Sequence, residues 1–504
     1  MPTQLFDAPE PSPGADHTPT RPICGGKRWI EIPARGQGSF LVRCVDDLVP
    51  QNSVVRVVDE IGNHLDFSGF EREYRGGGRP AFHPQLVGTI VIFGMCSGVL
   101  SARELAQRLE CDTRFMWLAH ELHIDHEVFS DFRRRFGPQI KDLFKETVRL
   151  ALRLGLVSLA HVAIDGTKIA AAAQRRALNK DDLDKAIAKL DERIEKLLAE
   201  AEALDTADEA ELGHLRGDEV PQELATAQAR QEKLRALLPL VNDDAHKRIS
   251  PTDPEAPLQK TQDGKRPGYN AQIAVDEKVG IIVAADVTCE QNDTQQFEPM
   301  AEQTIANVQQ TPEVIATDTG YHSGEALEYL ERKPELNAYI NPSPSATPDL
   351  YGHEDFEYDT QTDTYRCPAG QRLVFKGLKK LRGKENRWYR AEHTCAHCER
   401  RAKCFKGKMP YRELLVAPHG LLAVAMRRRL KTDEGQQALQ TRKQTVERTF
   451  GTIKARLGLR QFLTRGLASA QTQFSLAALA VNVRKLAAWI QTNGWTPTPA
   501  PASG

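Results

Sequence analysis

The sequence predicts a mixed α/β fold, in which a helical N-terminal region precedes an α/β domain that two insertions interrupt. Three observations predict it. Beyond residue 155, short apolar runs typical of strands alternate with helical segments. Between residues 176 and 250, Leu and Ile recur at helical spacing instead. Between residues 360 and 412, cysteines cluster. A chain of 504 residues is long enough for roughly two to four domains.

Residues 41–145 are expected to form a helical DNA-binding domain. Apolar periodicity predicts helices over 84–97, 102–109, 113–120 and 127–136. Ser101 and Asp112 would cap the second and third of these. Short helices joined by tight turns fit a helix-turn-helix-like unit, in which Arg133 and Arg134 would contact DNA. A small helical bundle with no DNA role is the alternative.

The α/β domain is expected over residues 155–175 and 265–345, with its C-terminal helices over 430–492. Strands are predicted over 156–164, 269–275, 280–287, 313–317 and 338–340. Helices are predicted over 295–307, 323–332, 435–457 and 467–491. The first strand would end just before Asp165, and the fourth just before Asp318. This order of strands and helices is that of an RNase H-like core.

The first insertion, residues 176–250, is predicted to be an antiparallel helical hairpin. Its seam repeats at heptad spacing through Leu183, Ile187, Leu190, Ile194, Leu197 and Leu204. A purely structural arm and a role in oligomerisation or DNA clamping are equally compatible with this pattern. The two ends of the chain, residues 1–40 and 493–504, are Pro-rich and predict a flexible leader and a disordered tail.

The second insertion, residues 360–412, carries a possible zinc site. Cys395 and Cys398 are spaced so that both thiolates can bind one tetrahedral ion, and Cys367 and Cys404 can complete the set. His393 or His397 could replace one thiolate. Four thiolates leave no open position, so a structural Zn²⁺ is predicted rather than a catalytic one. A set of buried free cysteines is the alternative.

The charge of the chain is unevenly distributed. Its net charge of -1 argues weakly against a nucleic-acid partner. Residues 441–466, however, contain seven Lys or Arg and a single acid, Glu447. This basic segment could bind phosphates.

The longest apolar run, 86–100, is too short to span a bilayer, so no membrane partner is expected. Nine cysteines, an odd number, suit a reducing compartment, and a cytoplasmic location is expected.

Three carboxylates are the candidate catalytic residues: Asp165, Asp318 and Glu447. Residues at the C-terminal ends of strands collect at one edge of an α/β sheet, which would bring the two aspartates together. Mg²⁺, or Mn²⁺, prefers such oxygen ligands, and metal-bound carboxylates support in-line phosphodiester cleavage. At helical spacing Lys443, Glu447 and Lys454 lie near one face, where the cations could bind phosphates. Taken singly, each acid is equally typical of a turn or of a surface ion pair.

Four motifs resemble those of bacterial insertion-sequence transposases of the DDE type, which have an RNase H-like core. They are Ile164-Asp165-Gly166-Thr167-Lys168, Gly268-Tyr269-Asn270-Ala271-Gln272, Asp318-Thr319-Gly320-Tyr321 and Glu447-Arg448-Thr449-Phe450-Gly451-Thr452-Ile453-Lys454. The resemblance covers about residues 40–490. Many relatives have Tyr and Arg upstream of the glutamate, where this chain has Gln440 and Lys443, with Arg442 adjacent.

The resemblance implies a function and a set of roles. Asp165, Asp318 and Glu447 would hold Mg²⁺ or Mn²⁺, and Lys443, Arg448 and Lys454 would contact phosphates. The protein would bind double-stranded DNA at the inverted ends of its element, cleave it, and join it to target DNA as a homodimer. Two alternatives stay open: an RNase H-like nuclease without strand transfer, and a catalytically inactive or domesticated DNA-binding protein.

Overall fold

The computed structural model describes nine segments of the chain: residues 44–74, 80–174, 177–211, 222–241, 248–261, 264–342, 349–381, 383–406 and 409–495. The expected leader and most of the expected tail lie outside them. Within these segments the protein is a mixed α/β fold with two sheets, which confirms the predicted class. No helix in the described segments is long and apolar enough to cross a membrane.

In the described part of the chain, the first strand is preceded by the helices α1 (Val54–Asn63), α2 (Ser68–Glu71), α3 (Pro84–Cys96), α4 (Ala102–Cys111), α5 (Thr113–Leu118), α6 (His126–Arg135) and α7 (Gly137–Arg153). Helices α3 to α6 are the four that periodicity predicts. Both predicted caps are confirmed, since the Ser101 side chain accepts from the Glu104 backbone N–H and Asp112 accepts from that of Arg114.

The N-terminal helices share a hydrophobic core with the α/β part of the chain. One buried cluster runs from Val91 and Phe132 in these helices to Ile164 and Leu479 farther along. Helix α7 continues past the expected boundary at residue 145 and packs against the last helix (Leu467–Asn493). The helices therefore support the sheet directly.

The larger sheet contains β1 (Val162–Ala170), β2 (Leu258–Thr261), β3 (Gly264–Asp276), β4 (Ile282–Thr288), β5 (Ile315–Thr317) and β6 (Ala338–Ile340). Strand β3 lies between β1 and β4 and is antiparallel to both, so the predicted strands 269–275 and 280–287 pair as a hairpin. Strand β2 pairs with the first residues of β3. On the other side of β1, the strands β5 and β6 add in parallel.

The expectation that the first strand ends before Asp165 is wrong, because antiparallel pairing with β3 carries β1 on to Ala170. The parallel pairing of β1 with β5 stops earlier, at Ile164 opposite Thr317. Asp165 is therefore the first residue of β1 beyond its parallel partner, and Asp318 directly follows β5. The two aspartates leave the same pair of strands at the same level.

The first insertion contributes two helices, α8 (Lys180–Glu211) and α9 (Gln222–Arg235), which pack against each other. Leu183 and Ile187 near the start of α8 share a buried cluster with Leu234 at the end of α9. The helices therefore run antiparallel. The residues that join the two helices, 212–221, lie outside the described residues.

The remaining helices are α10 (Phe297–Val308), α11 (Gly324–Arg332), α12 (Arg401–Cys404), α13 (Gly420–Leu430), α14 (Asp433–Gly451) and α15 (Leu467–Asn493). Helix α14 packs against β1 and β5 and runs into a π-helical turn, Thr452–Arg456. Helix α15 is buried along most of its length between α7, α3 and β4. Helix α14 is thus the element that lies against the two aspartate-bearing strands.

A smaller antiparallel sheet occupies the second insertion and contains β7 (Glu357–Asp359), β8 (Thr364–Arg366), β9 (Arg372–Leu381), β10 (Lys384–Ala391) and β11 (Glu413–Val416). The strand order is β11-β10-β9-β8-β7. This sheet has its own small core, which includes Phe356, Leu373 and Tyr389.

Candidate active site

Asp165 and Asp318 share one guanidinium group. The Arg442 Nη2 atom lies 2.7 Å from Asp165 Oδ2 and 3.8 Å from Asp318 Oδ2. Arg442 comes from α14, and only 15% of its side chain is exposed. Two carboxylates thus face a single cation at the edge of the sheet, as the positions of the strand ends predict.

The single positive charge of Arg442 does not balance the two buried carboxylates. Burial raises the pKa of Asp165 from 3.8 to about 6; Arg442 opposes this rise, and the neighbouring Asp318 adds to it. Burial also raises the pKa of Asp318, again against the effect of Arg442. One guanidinium does not offset the desolvation of two carboxylates, so a further positive charge placed between them would stabilise both ionised forms.

A third carboxylate, Asp293, belongs to the same cluster. Its Oδ1 atom accepts hydrogen bonds from Asn270 Nδ2 at 2.6 Å and from Gln272 Nε2 at 2.7 Å, and Lys168 Nζ lies 3.6 Å away. Its charge also raises the pKa of both Asp165 and Asp318. Because Oδ1 is held by two amides and an ammonium group, Asp293 is well placed to anchor the loop after β4.

The sequence analysis missed Asp293, because it lies in a loop with neither strand nor helix periodicity. A signal for it exists in β3, where Asn270 and Gln272 are both fully buried. Buried amides need hydrogen-bond partners, and two of them two residues apart on one strand predict a polar group nearby. Gln272 also accepts a hydrogen bond from the buried Tyr321 hydroxyl, which ties β3 to the turn after Asp318.

Two glycines allow the Asp293 carboxylate to approach both aspartate loops. A Cβ atom at Gly166 would lie 2.4 Å from Gln272 Nε2 and 2.8 Å from Asp293 Oδ1. A Cβ atom at Gly320 would lie 2.9 Å from Asp293 Oδ2. Any side chain at either position would push the anchor away from the aspartates.

Lys454 is close to the aspartates, as expected for a phosphate-binding residue. Its Nζ atom donates a hydrogen bond to Thr167 Oγ1, two residues beyond Asp165 on β1. Burial lowers the pKa of Lys454, and the charge of Asp165 opposes that change. The π-helical turn that contains Lys454 brings it to the strand.

Glu447 does not join the two aspartates in this structure. It is exposed on α14, as are Lys443 and Arg448, and in the described segments no three acidic side chains lie close enough together to hold a metal ion. The buried side of α14 instead includes Ala438 and Val446, with Arg442 directed at the carboxylates. Arg442, which the sequence analysis noted only as a neighbour of Lys443, is the closest cation of this helix to the pair.

Of the two arginines expected to contact DNA at the end of α6, the structure leaves one accessible. Arg133 donates from Nη1 to the Leu100 carbonyl oxygen at 2.5 Å, and its Nε and Nη2 atoms are buried. The Arg133 guanidinium is therefore mostly buried within the helical region, and its expected contact with DNA stays a prediction. Arg134 is exposed and forms an ion pair with Asp131.

The four clustered cysteines meet at one side of the smaller sheet. Cys367, Cys395, Cys398 and Cys404 line a common cavity. Burial raises the pKa of the Cys404 thiol; Arg412 opposes this rise, and the other three cysteines add to it. Among the described residues, no three His, Cys, Asp or Glu side chains are arranged closely enough to hold a metal ion in this conformation.

Two parts of the chain match protein-family models. Residues 366–487 match the family described as "Transposase DDE domain", and residues 43–135 match "Transposase domain (DUF772)". These matches indicate an insertion-sequence DDE transposase. No curated protein matches the chain.

The two matches cover different parts of this transposase. The DDE-domain match begins in the smaller sheet and contains Glu447 and Lys454, whereas Asp165 and Asp318 precede it. The other match covers the N-terminal helices from α1 to α6. Neither match therefore covers the two aspartates, and their assignment depends on the geometry of β1 and β5 and on the motifs around them.

We predict that Asp165→Asn changes the pH dependence of stability. Because the folded-state pKa of about 6 lies above the usual 3.8, ionisation of Asp165 disfavours folding, and wild-type stability falls as the pH rises between these values. Asn does not ionise, so from about pH 4 to pH 7 the difference in unfolding free energy should move in favour of the variant by on the order of 1–3 kcal/mol. Urea denaturation at several pH values measures it. A pH-independent difference would contradict the prediction, and Asp142→Asn, at an exposed carboxylate, is the control.

We predict that Gly166→Ala destabilises the transposase, whereas Gly451→Ala does not. A methyl group at position 166 meets Gln272 and Asp293, while at position 451 no atom lies within 4 Å. The first variant should lose about 1–3 kcal/mol of unfolding free energy. The second should gain up to about 1 kcal/mol, because Ala favours a helix. Equal effects of the two substitutions in thermal or urea denaturation would show that the site is not closely packed at Gly166.

Proposed function

We propose that the chain is a DNA transposase that binds the inverted terminal repeats of its element and catalyses metal-dependent cleavage and strand transfer. The observation that carries the proposal is the Asp165–Asp318 pair, which Arg442 bridges. Buried like-charged groups are costly to maintain, and they occur where chemistry requires them. The transposase-domain matches favour DNA as the substrate.

The topology of the larger sheet supports an RNase H-like core. Three antiparallel strands, β4, β3 and β1, are followed by the parallel strands β5 and β6. The N-terminal helices, the α8–α9 hairpin and the smaller sheet are then additions to that core. We assign end recognition to the N-terminal helices, where Arg134 is one of the exposed cations.

The donor atoms of the pair suit a divalent cation. Mg²⁺ is commonly bound by one or two carboxylates together with water and substrate phosphates, and Asp165 and Asp318 supply two carboxylates whose pKa values are raised by burial. Mn²⁺ accepts the same oxygen ligands. When bound, such an ion activates a hydroxyl nucleophile and stabilises the leaving oxygen of an in-line displacement.

The other residues of the site orient the DNA. Lys454, beside Thr167 and close to Asp165, is positioned to bind the phosphate next to the scissile bond. Lys443 and Arg448 are exposed on α14 and would contact the flanking backbone. Glu447, on the same helix, would be the third metal-binding carboxylate. It would turn toward the aspartates when Arg442 leaves Asp165 and binds a DNA phosphate instead. Because two ends must be joined in concert, we expect a homodimer on DNA.

The test is cleavage and strand transfer on a labelled DNA fragment that carries the element's own end, with Mg²⁺, Mn²⁺ or a chelator. We predict that Asp165→Asn and Asp318→Asn each lower the cleavage rate by at least about 100-fold, because the carboxylates act in the chemical step. Binding of the end should change little. Glu447→Gln should lose cleavage to a similar extent, whereas Glu434→Gln, at an exposed acid in the first turn of the same helix, should not.

The same assay separates the alternatives. Cleaved ends without joined products would indicate a nuclease that lacks strand transfer. Specific end binding without any metal-dependent cutting would indicate a DNA-binding protein that has lost activity. If Asp165→Asn reduces end binding in proportion to cleavage, the proposed role of the aspartates in the chemical step is incorrect.

We also propose that the four cysteines hold a structural Zn²⁺. Two of the sulfur atoms already accept backbone hydrogen bonds, Cys367 Sγ from Gln371 N at 3.3 Å and Cys395 Sγ from Arg412 N at 3.4 Å. Such bonds stabilise thiolates, the form that binds zinc. The other three cysteines also oppose ionisation of the Cys404 thiol, and a dication would relieve that repulsion. A small shift of the side chains would then close the set around one ion.

The zinc proposal predicts a metal content that depends on these residues. Purified protein should contain roughly one Zn²⁺ per chain by mass spectrometry, as expected for a four-thiolate site. Cys395→Ser should lose the metal and lower the thermal stability of the smaller sheet, whereas Cys111→Ser, at an exposed cysteine of α4, should keep it. Zinc-free wild-type protein of unchanged stability would favour a set of free cysteines.

A further inference from the structure

The smaller sheet carries a two-stranded extension that its neighbours do not cover. Strand β8 pairs with β9 only at residues 372–374, and β11 pairs with β10 only at residues 387–390. Beyond these points, β9 and β10 continue to pair with each other as far as Leu381 opposite Lys384. We call residues 375–381 and 384–386 the β-ribbon. Isolated two-stranded ribbons are marginally stable in water, and this one is held at its base by the sheet.

The β-ribbon exposes large apolar side chains on both of its faces. Phe375, Leu378 and Leu381 are 40%, 58% and 52% exposed, although Arg387 lies over the Phe375 ring. Leu378 pairs with Arg387 and Leu381 pairs with Lys384, so the two leucines point to opposite faces. Large exposed apolar residues on a projecting element mark an interaction site. The ribbon therefore needs a partner.

The charge of this segment selects the class of partner. Between residues 372 and 390 the sequence contains eight Lys or Arg and one acid, Glu385. Lys379 forms an ion pair with Glu413, and Arg387 forms one with Asp363, both within the same insertion. Lys376 and Lys380 are exposed, and within the described residues neither forms an ion pair.

The backbone of the ribbon directs Lys376 outward. Trp388 pairs with Gly377 and Tyr389 pairs with Phe375, so that Lys376 is the extra residue of a β-bulge. A bulge increases the local twist and changes the direction in which a side chain points. The bulge lies where the ribbon leaves the sheet, and Lys380 lies near the tip.

We propose that the β-ribbon is a second DNA-binding surface, separate from the aspartate site, that lies against the phosphate backbone of a duplex. The major groove of B-form DNA admits a two-stranded ribbon, so that Lys376 and Lys380 can reach phosphates while Leu378, on the same face as Lys380, contacts the groove. A second copy of the chain fits less well, because two ribbons of this charge would repel each other. The proposal rests on DNA as the substrate but assigns no part of the chemistry to the ribbon.

The test is the salt dependence of DNA binding by the full-length protein, measured by fluorescence anisotropy with a labelled random-sequence duplex. Each phosphate contact adds about 0.9 to the slope of log K against log salt concentration. The double variant Lys376→Ala/Lys380→Ala should therefore reduce the magnitude of that slope by about 2 and weaken binding at least several-fold. Lys403→Ala/Lys406→Ala, at two exposed lysines of the same insertion but off the ribbon, should leave the slope unchanged.

Further variants make the outcome decisive. Leu378→Ala should weaken DNA binding without changing the slope, and sedimentation should show an unchanged oligomeric state. A change of oligomeric state with unchanged DNA affinity would overturn the proposal in favour of an interface between copies. An unchanged slope in the lysine variant would also overturn it. Because Asp165-dependent cleavage is measured separately, either result leaves the proposed function standing.

Discussion

The structure of the candidate site depends on one constraint, which is that two carboxylates must be held close together away from water. Asp165 and Asp318 leave adjacent parallel strands at the same level, because the pairing of β1 with β5 stops at Ile164 and Thr317. Their proximity is thus set by backbone hydrogen bonds rather than by attraction between the side chains. The cost appears as raised pKa values for both groups.

The surroundings of the pair act on it from two sides. From α14, Arg442 supplies a shared cation, and Lys454 lies close by on Thr167. From β3, buried amides hold Asp293, which fixes the loop after β4 against Gly166 and Gly320. Helix α14 thus provides positive charge, while the amides of β3 hold the neighbouring loop in place. The β3 side keeps the aspartates together even if Arg442 moves to a DNA phosphate.

Sequence patterns predicted those parts of the fold that local chemistry determines. The caps Ser101 and Asp112, the β3–β4 hairpin and strand β6 lie where periodicity and side-chain type place them. The length of β1 was predicted wrongly, since its polar second half is stabilised by pairing with β3, which lies about a hundred residues farther along the chain. The proximity of Asp165 and Asp318 was predictable, because each directly follows an apolar run of the sequence.

Three features of the site could not be predicted from the sequence in this way. Asp293 lies in an irregular loop, and only the two buried amides of β3 select it. Arg442 rather than Lys443 faces the aspartates, because the orientation of α14 is set by how Ala438 and Val446 pack. Arg133 is drawn inward by the carbonyl oxygen of Leu100. Each depends on contacts between segments that are distant in sequence.

The central claim is that Asp165 and Asp318 form a cation-binding centre that Arg442 bridges in the absence of ligand. Anomalous diffraction from crystals soaked in Mn²⁺ tests it most directly, because Mn²⁺ accepts the same oxygen ligands as Mg²⁺ and can be located without reference to activity. The account predicts an anomalous peak within bonding distance of both carboxylates, with Arg442 displaced from Asp165. A structure at saturating Mn²⁺ in which Arg442 still bridges the two aspartates, with no peak between them, would contradict it.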